Sequence, residues 1–126
     1  MKKIFETRIL AVGPLAQKFI CDSQMMILFG EEMPAALADY CYKIKISPIQ
    51  GDITAGSTFL IDEQKFLITA VGHVVKQNLQ NLGHITIAFD GKAKAKLPGI
   101  LHVEAQKEID VTSESVLQII CDEQAI

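Results

Sequence analysis

Apolar and polar residues alternate with a period of two over several short stretches of this chain, each bounded by glycine, proline or polar turn residues. Residues 3–12 read as a first strand, with Phe5, Thr7, Ile9 and Ala11 on one face and Glu6 and Arg8 on the other. Gly13-Pro14 ends it. Pro14 suits the first position of a short helix running to about Cys21, because its missing amide hydrogen has no helical partner to lose there. MMILFG follows as a strand. Pro34 opens a second short helix, PAALADYC, whose Leu37, Tyr40 and Cys41 fall on one apolar face. In YKIKIS, Tyr42, Ile44 and Ile46 alternate with Lys43 and Lys45, which are expected to face outward.

Residues 58–61 and 65–71 form two arms of a hairpin around Asp62-Glu63-Gln64, and Gly72 closes the second arm. HVVKQNLQNLG carries Val75, Leu79 and Leu82 at the spacing of one helical face and stops at Gly83. HITIAFD alternates again, with Ile85, Ile87 and Phe89 opposite His84, Thr86 and Asp90, and Asp90-Gly91 turns the chain. Strands at 99–105 and 115–121 complete the set. Many short strands with brief helices predict a mainly β fold: one domain over residues 1–126, a small closed or nearly closed barrel with two or three short helices.

The 126 residues and 13.9 kDa suffice for one core and not for two ordinary domains. With 12 basic against 15 acidic side chains the net charge is −3, which gives no broad cationic surface for nucleic acid. The opening MKKIFETRILAVGP is too short in apolar length, and too interrupted by Glu6 and Arg8, for a signal peptide; no later run reaches the roughly 18 to 20 residues of a membrane span. A cytoplasmic protein without membrane insertion is expected. Cys21, Cys41 and Cys121 lie outside any CxxC pattern and are expected to be reduced and mostly buried.

Candidate chemistry centres on His73, His84 and His102. None stands in an HxH or HExxH spacing, no phosphate-binding glycine loop occurs, and no metal or cofactor is expected. His84 has the best local case. It stands between the Gly83 helix stop and a strand, where the carbonyl end of the helix favours a cationic ring able to receive and release a phosphoryl group; a plain helix cap is the alternative. His73 stands at the start of the same helix, where amide hydrogens can help hold a phosphate; plain exposure to water is the alternative. His102 shares a strand face with Glu104 and is expected to face solvent. The pairs Glu31-Glu32 and Asp62-Glu63 read as loop ends, and Ser113 and Ser115 lack a GxSxG setting.

The combination FLITAVG, NLQNLGHITIAFDG and LPGILHV between Phe66 and Val103, together with MMILFGEEMPAALADYC, resembles the glucitol/sorbitol-specific enzyme IIA of the bacterial phosphotransferase system. The resemblance extends over most of the chain. It implies a cytoplasmic carrier that accepts a phosphoryl group on histidine from the phosphocarrier protein HPr and passes it to the enzyme IIB part of a sugar permease (IIB/IIC), without metal or nucleotide. In that family the acceptor histidine follows the segment matching Asp39-Tyr40-Cys41, where this chain reads Tyr42-Lys43-Ile44-Lys45-Ile46. His84, which matches the family's LGH histidine, is the leading substitute and His73 the second. The alternative is a non-catalytic paralogue acting as an interaction or regulatory module. A homodimer paired through YKIKIS or HITIAFD is expected if either lies at a sheet edge.

Overall fold

The alternating stretches become strands whose inner faces meet around one core. The computed structural model describes residues 2–31, 34–106 and 108–121. In chain order it contains β1 (Lys2–Val12), α1 (Ala16–Ser23), β2 (Met25–Phe29), α2 (Ala35–Ala38), β3 (Cys41–Ile44) and β4 (Thr58–Ile61). There follow β5 (Gln64–Val71), α3 (Val75–Leu82), β6 (Ile85–Phe89), β7 (Ile100–Val103) and β8 (Val116–Cys121). The strands close in the order β1-β3-β2-β6-β7-β5-β4-β8, and β8 pairs back onto β1. The pairs β2–β3 and β6–β7 are parallel; the other neighbours are antiparallel. The predicted mainly β barrel with short helices is thus the observed fold.

Inward side chains of every strand fill the barrel, including Phe59, Ile61, Phe66, Ile68, Ile87, Phe89, Leu101 and Leu117. Phe66 sits edge-on to Phe89 with ring centroids 5.1 Å apart, a favoured aromatic geometry. Two bulges interrupt β1, one between Lys3 and Phe5 and one between Ile9 and Ala11. The first lets both Ile4 and Phe5 reach the core, and after the second Ala11 is exposed instead of lying on the inner face with Ile9. No helix of the described residues is long and apolar enough to cross a membrane.

Several boundaries move for identifiable reasons. The first helix starts at Ala16, not Pro14, because the amides of Gly13 and Leu15 bond to the carbonyls of Cys41 and Asp39, which commits these residues to the entry of β3. The second helix stops at Ala38. Cys41 pairs with Ile27 in the β2–β3 ladder, so the expected face of Leu37, Tyr40 and Cys41 is split, with the first two exposed and Cys41 buried. Strand β3 ends at Ile44, which leaves Ile46 exposed beside Gly30 and Gly83. Leu82 is exposed at the end of α3, while Val75 and Leu79 are buried as expected. The final strands are shorter than the 99–105 and 115–121 predicted. Both β3 and β6 are paired on each side, so neither offers the free edge through which a strand-paired dimer was expected.

Candidate active site

Strand register builds the site on the outer wall of the barrel. In β6 and β7 the inward residues are Ile87, Phe89, Leu101 and Val103, so Ala88 and His102, paired across the ladder, point outward. Ala88 also pairs with Met25 of β2. On the other side, a bulge in β5 between Ile68 and Ala70 reverses the alternation: Val71 turns toward the core, and Ala70 pairs with His102 in the outer row. The imidazole therefore stands between two alanines, whose single methyl groups leave space beside it.

That space is a cavity of about 540 Å³ lined by His102, Asp90, Met25 and the lysines 92, 94 and 96, among others. His102 was expected to face solvent, and it does leave the barrel on the outer side. Its ring is nevertheless only 6% exposed. The segment after Asp90 folds back along this wall. Gly91 donates its amide to the Val103 carbonyl, Thr69 Oγ1 donates to the Lys92 carbonyl at 2.7 Å, and Val74 donates to the Pro98 carbonyl. Gly72 allows the last approach, since a Cβ there would run into the Pro98 backbone.

His102 Nδ1 lies 2.9 Å from Asp90 Oδ1, which also accepts the Lys92 amide at 3.1 Å. Burial works against the charge of Asp90. The hydrogen bonds from His102 and Lys92, with their charges, outweigh it and hold the carboxyl below its ordinary value. A carboxylate can only accept, so Nδ1 donates, and in the neutral form of the ring the lone pair sits on Nε2. Nε2 is buried and has no hydrogen-bond partner among the described residues.

His84 is half-buried immediately before β6. Its backbone amide donates to Asn78 O at 3.3 Å beside the left-handed Gly83, so the helix end is closed by main chain and the ring is free of that task. The ring lies tilted against Phe29 with centroids 4.3 Å apart, and Nδ1 is 3.3 Å from the Leu28 carbonyl, which likewise makes Nδ1 the donor. His73 is exposed in the turn between β5 and α3. The three imidazoles are not brought together: His84, just before β6, is four residues, roughly 13 Å of extended chain, from the Ala88 position beside His102.

The other candidates have structural positions. Asp62 accepts Ser115 Oγ at 2.8 Å and the Val116 amide at 2.9 Å, pinning the β4–β5 turn to β8. Glu31 is exposed, and Glu32 lies outside the described residues. Cys41 is the buried cysteine, its thiol pKa pushed up by burial, whereas Cys21 is exposed and Cys121 half-buried, contrary to a mostly buried set. No group of three or more His, Cys, Asp or Glu that could hold a metal ion occurs among the described residues.

The matched family model, PTS system glucitol/sorbitol-specific IIA component, spans residues 4–118. The PTS system glucitol/sorbitol-specific EIIA components of Shigella flexneri and Escherichia coli (strain K12) are each 36% identical to this chain over 118 residues, covering 94% of it and 95% of each relative. The crystal structure of a PTS system IIA component from Enterococcus faecalis V583 superposes with a TM-score of 0.79 at 18% identity, covering 93% of this chain and all of that one, a likeness of fold. With a family model matched along nearly its whole length and relatives more than one-third identical, this chain belongs to the glucitol/sorbitol-specific IIA component family of the phosphotransferase system.

Proposed function

We propose that the protein is a phosphoryl carrier, taking a phosphoryl group on an imidazole nitrogen from HPr and handing it to the enzyme IIB part of a glucitol/sorbitol-type permease. One observation supports this beyond family membership. Two imidazoles, His84 and His102, have Nδ1 tied to an oxygen that can only accept, which leaves Nε2 with the lone pair a phosphoryl acceptor needs. The carrier needs no metal or nucleotide, because histidine phosphorylation exchanges one P–N bond for another. The test is incubation with enzyme I, HPr and labelled phosphoenolpyruvate, which should yield acid-labile, base-stable label on this protein.

A second reading, a non-catalytic interaction module, rests on the segment where the resemblance places the family's acceptor. Tyr42 and Ile44 there are wholly buried core residues, and Lys43 and Lys45 are the outward ones, so that segment offers no imidazole. A module would be captured with HPr or a IIB domain yet remain unlabelled, whereas a carrier is labelled.

A further inference from the structure

If the carrier reading holds, on which this inference rests, the geometry points to His102 Nε2 as the phosphoryl acceptor, with Lys92, Lys94 and Lys96 receiving the charge of the phosphoryl oxygens in the cavity beside it. Four observations converge. The ring is held by Asp90 in the tautomer that leaves Nε2 basic. Nε2 is a buried polar atom without a partner among the described residues, a condition that costs free energy in a folded protein and calls for an explanation. His102 is among the residues that line the cavity of about 540 Å³. Finally, three of the chain's 12 basic side chains lie on five consecutive residues along that cavity, although the chain as a whole carries a net charge of −3. His84 has the fixed tautomer too, but its ring lies against Phe29 with Nδ1 on the Leu28 carbonyl and is not among the residues of that cavity.

The chemistry balances. The Nε2 lone pair attacks the phosphorus of a protonated phosphohistidine on the donor, forming a P–N bond at Nε2. The donor's P–N bond breaks, and its electron pair returns to the donor ring, which leaves as neutral imidazole. His102 then carries both the Nδ1 proton and the phosphoryl group as a cationic ring, and the Asp90 carboxylate 2.9 Å away offsets that charge. Nothing is oxidised or reduced; on the way out a nucleophile of the IIB part forms a bond to phosphorus, the P–Nε2 bond breaks, and its electron pair returns to the His102 ring, which is left neutral with its Nδ1 proton. For phosphorus to reach Nε2 one flank of the cavity has to yield. Residues 93–96 make no hydrogen bond among the described residues, while the ends of this segment are anchored at Lys92 and Pro98.

The sequence makes the assignment directly testable, because lysines 76, 92, 96 and 107 place the three histidines in separate tryptic peptides: His73 before Lys76, His84 within residues 77–92 and His102 within 97–107. Wild-type protein labelled through enzyme I and HPr, digested at alkaline pH, should carry phosphate on the 97–107 peptide. His102→Asn keeps an amide where Nδ1 donates to Asp90 and lacks Nε2; its labelling should fall by more than about a hundredfold. Lys94→Ala combined with Lys96→Ala, two exposed changes that should leave the thermal midpoint in place, should slow labelling on the order of tenfold or more. Label on the peptide holding His84 or His73, or label persisting in His102→Asn, overturns this assignment and leaves the carrier reading standing. Wild-type protein that takes no label overturns both.

Discussion

His102 Nδ1 stands 2.9 Å from Asp90 Oδ1, joining an outer position of β7 to the residue that follows β6. Two parallel strands pair beneath this contact, and their register, Ala88 beside His102, brings an acid and an imidazole twelve positions apart in the chain within one hydrogen bond. Folding lowers the pKa of Asp90 even though burial opposes its charge. The carboxylate therefore stabilises the fold above the ordinary aspartate value of about 3.9, and that contribution is lost as pH falls through the lower folded value. Asp90→Asn should be less stable than wild type at neutral pH, with the gap closing on acidification. Urea unfolding at stepped pH measures it; a gap that stays constant into acid would show that the pair contributes no charge-dependent stability.

Gly83→Ala should destabilise the protein by roughly 1–2 kcal/mol, because Gly83 closes α3 at φ +65, where a side chain is strained. A Cβ would also lie 3.0 Å from the Gly30 amide nitrogen, so the loop after β2 would have to shift. The same denaturant series reads the loss, and a stability equal to wild type would mean that the helix end repacks at no cost.

The period-two stretches were legible in the sequence because an inner barrel face needs apolar residues at every second position, and HITIAFD and the Gly83 stop sit where the pattern put them. The site was less legible, for a physical reason. His102 does point outward, as the alternation in LHVE implies, but whether an outward residue meets water depends on what covers it. That is decided by hydrogen bonds between distant segments, from Thr69 to Lys92 and from Val74 to Pro98, and by the β5 bulge that sets Ala70 beside the ring. None of these leaves a periodic trace. One signal was present: small alanines at 70 and 88 beside a histidine strand, followed by the run Lys92, Lys94 and Lys96. Linking them requires the pairing order, in which β7 lies between β5 and β6.

Phe66→Ala should cost roughly 3–5 kcal/mol, the range for removing a large ring from a packed interior. Phe66 is wholly buried at the barrel axis side of β5 and touches two further rings, with centroids 5.1 Å from Phe89 and 6.2 Å from Phe59. Chemical denaturation of the purified variant gives the value. A loss below about 1 kcal/mol would show that the surrounding aromatic side chains collapse into the space.

Tyr42 carries a prediction at the alkaline end. Its side chain is wholly buried, and burial, followed by the nearby charge of Cys21, pushes its phenol up to about 12. In the unfolded chain a tyrosine ionises near 10, so the neutral ring favours the fold fully below that pH, and the advantage is lost as pH rises from about 10 through the folded value. Tyr42→Phe removes the ionisation and gives up only a long 3.4 Å hydrogen bond to Gln17. Its stability at neutral pH should lie within about 1 kcal/mol of wild type. Between pH 10 and 12 it should fall less steeply, since the variant has no phenol at 42 to ionise on unfolding. Spectrophotometric titration of the phenols and unfolding curves over the same range check both halves. A Tyr42 phenol that titrates near 10 in the folded protein would mean that water reaches this side chain inside the barrel.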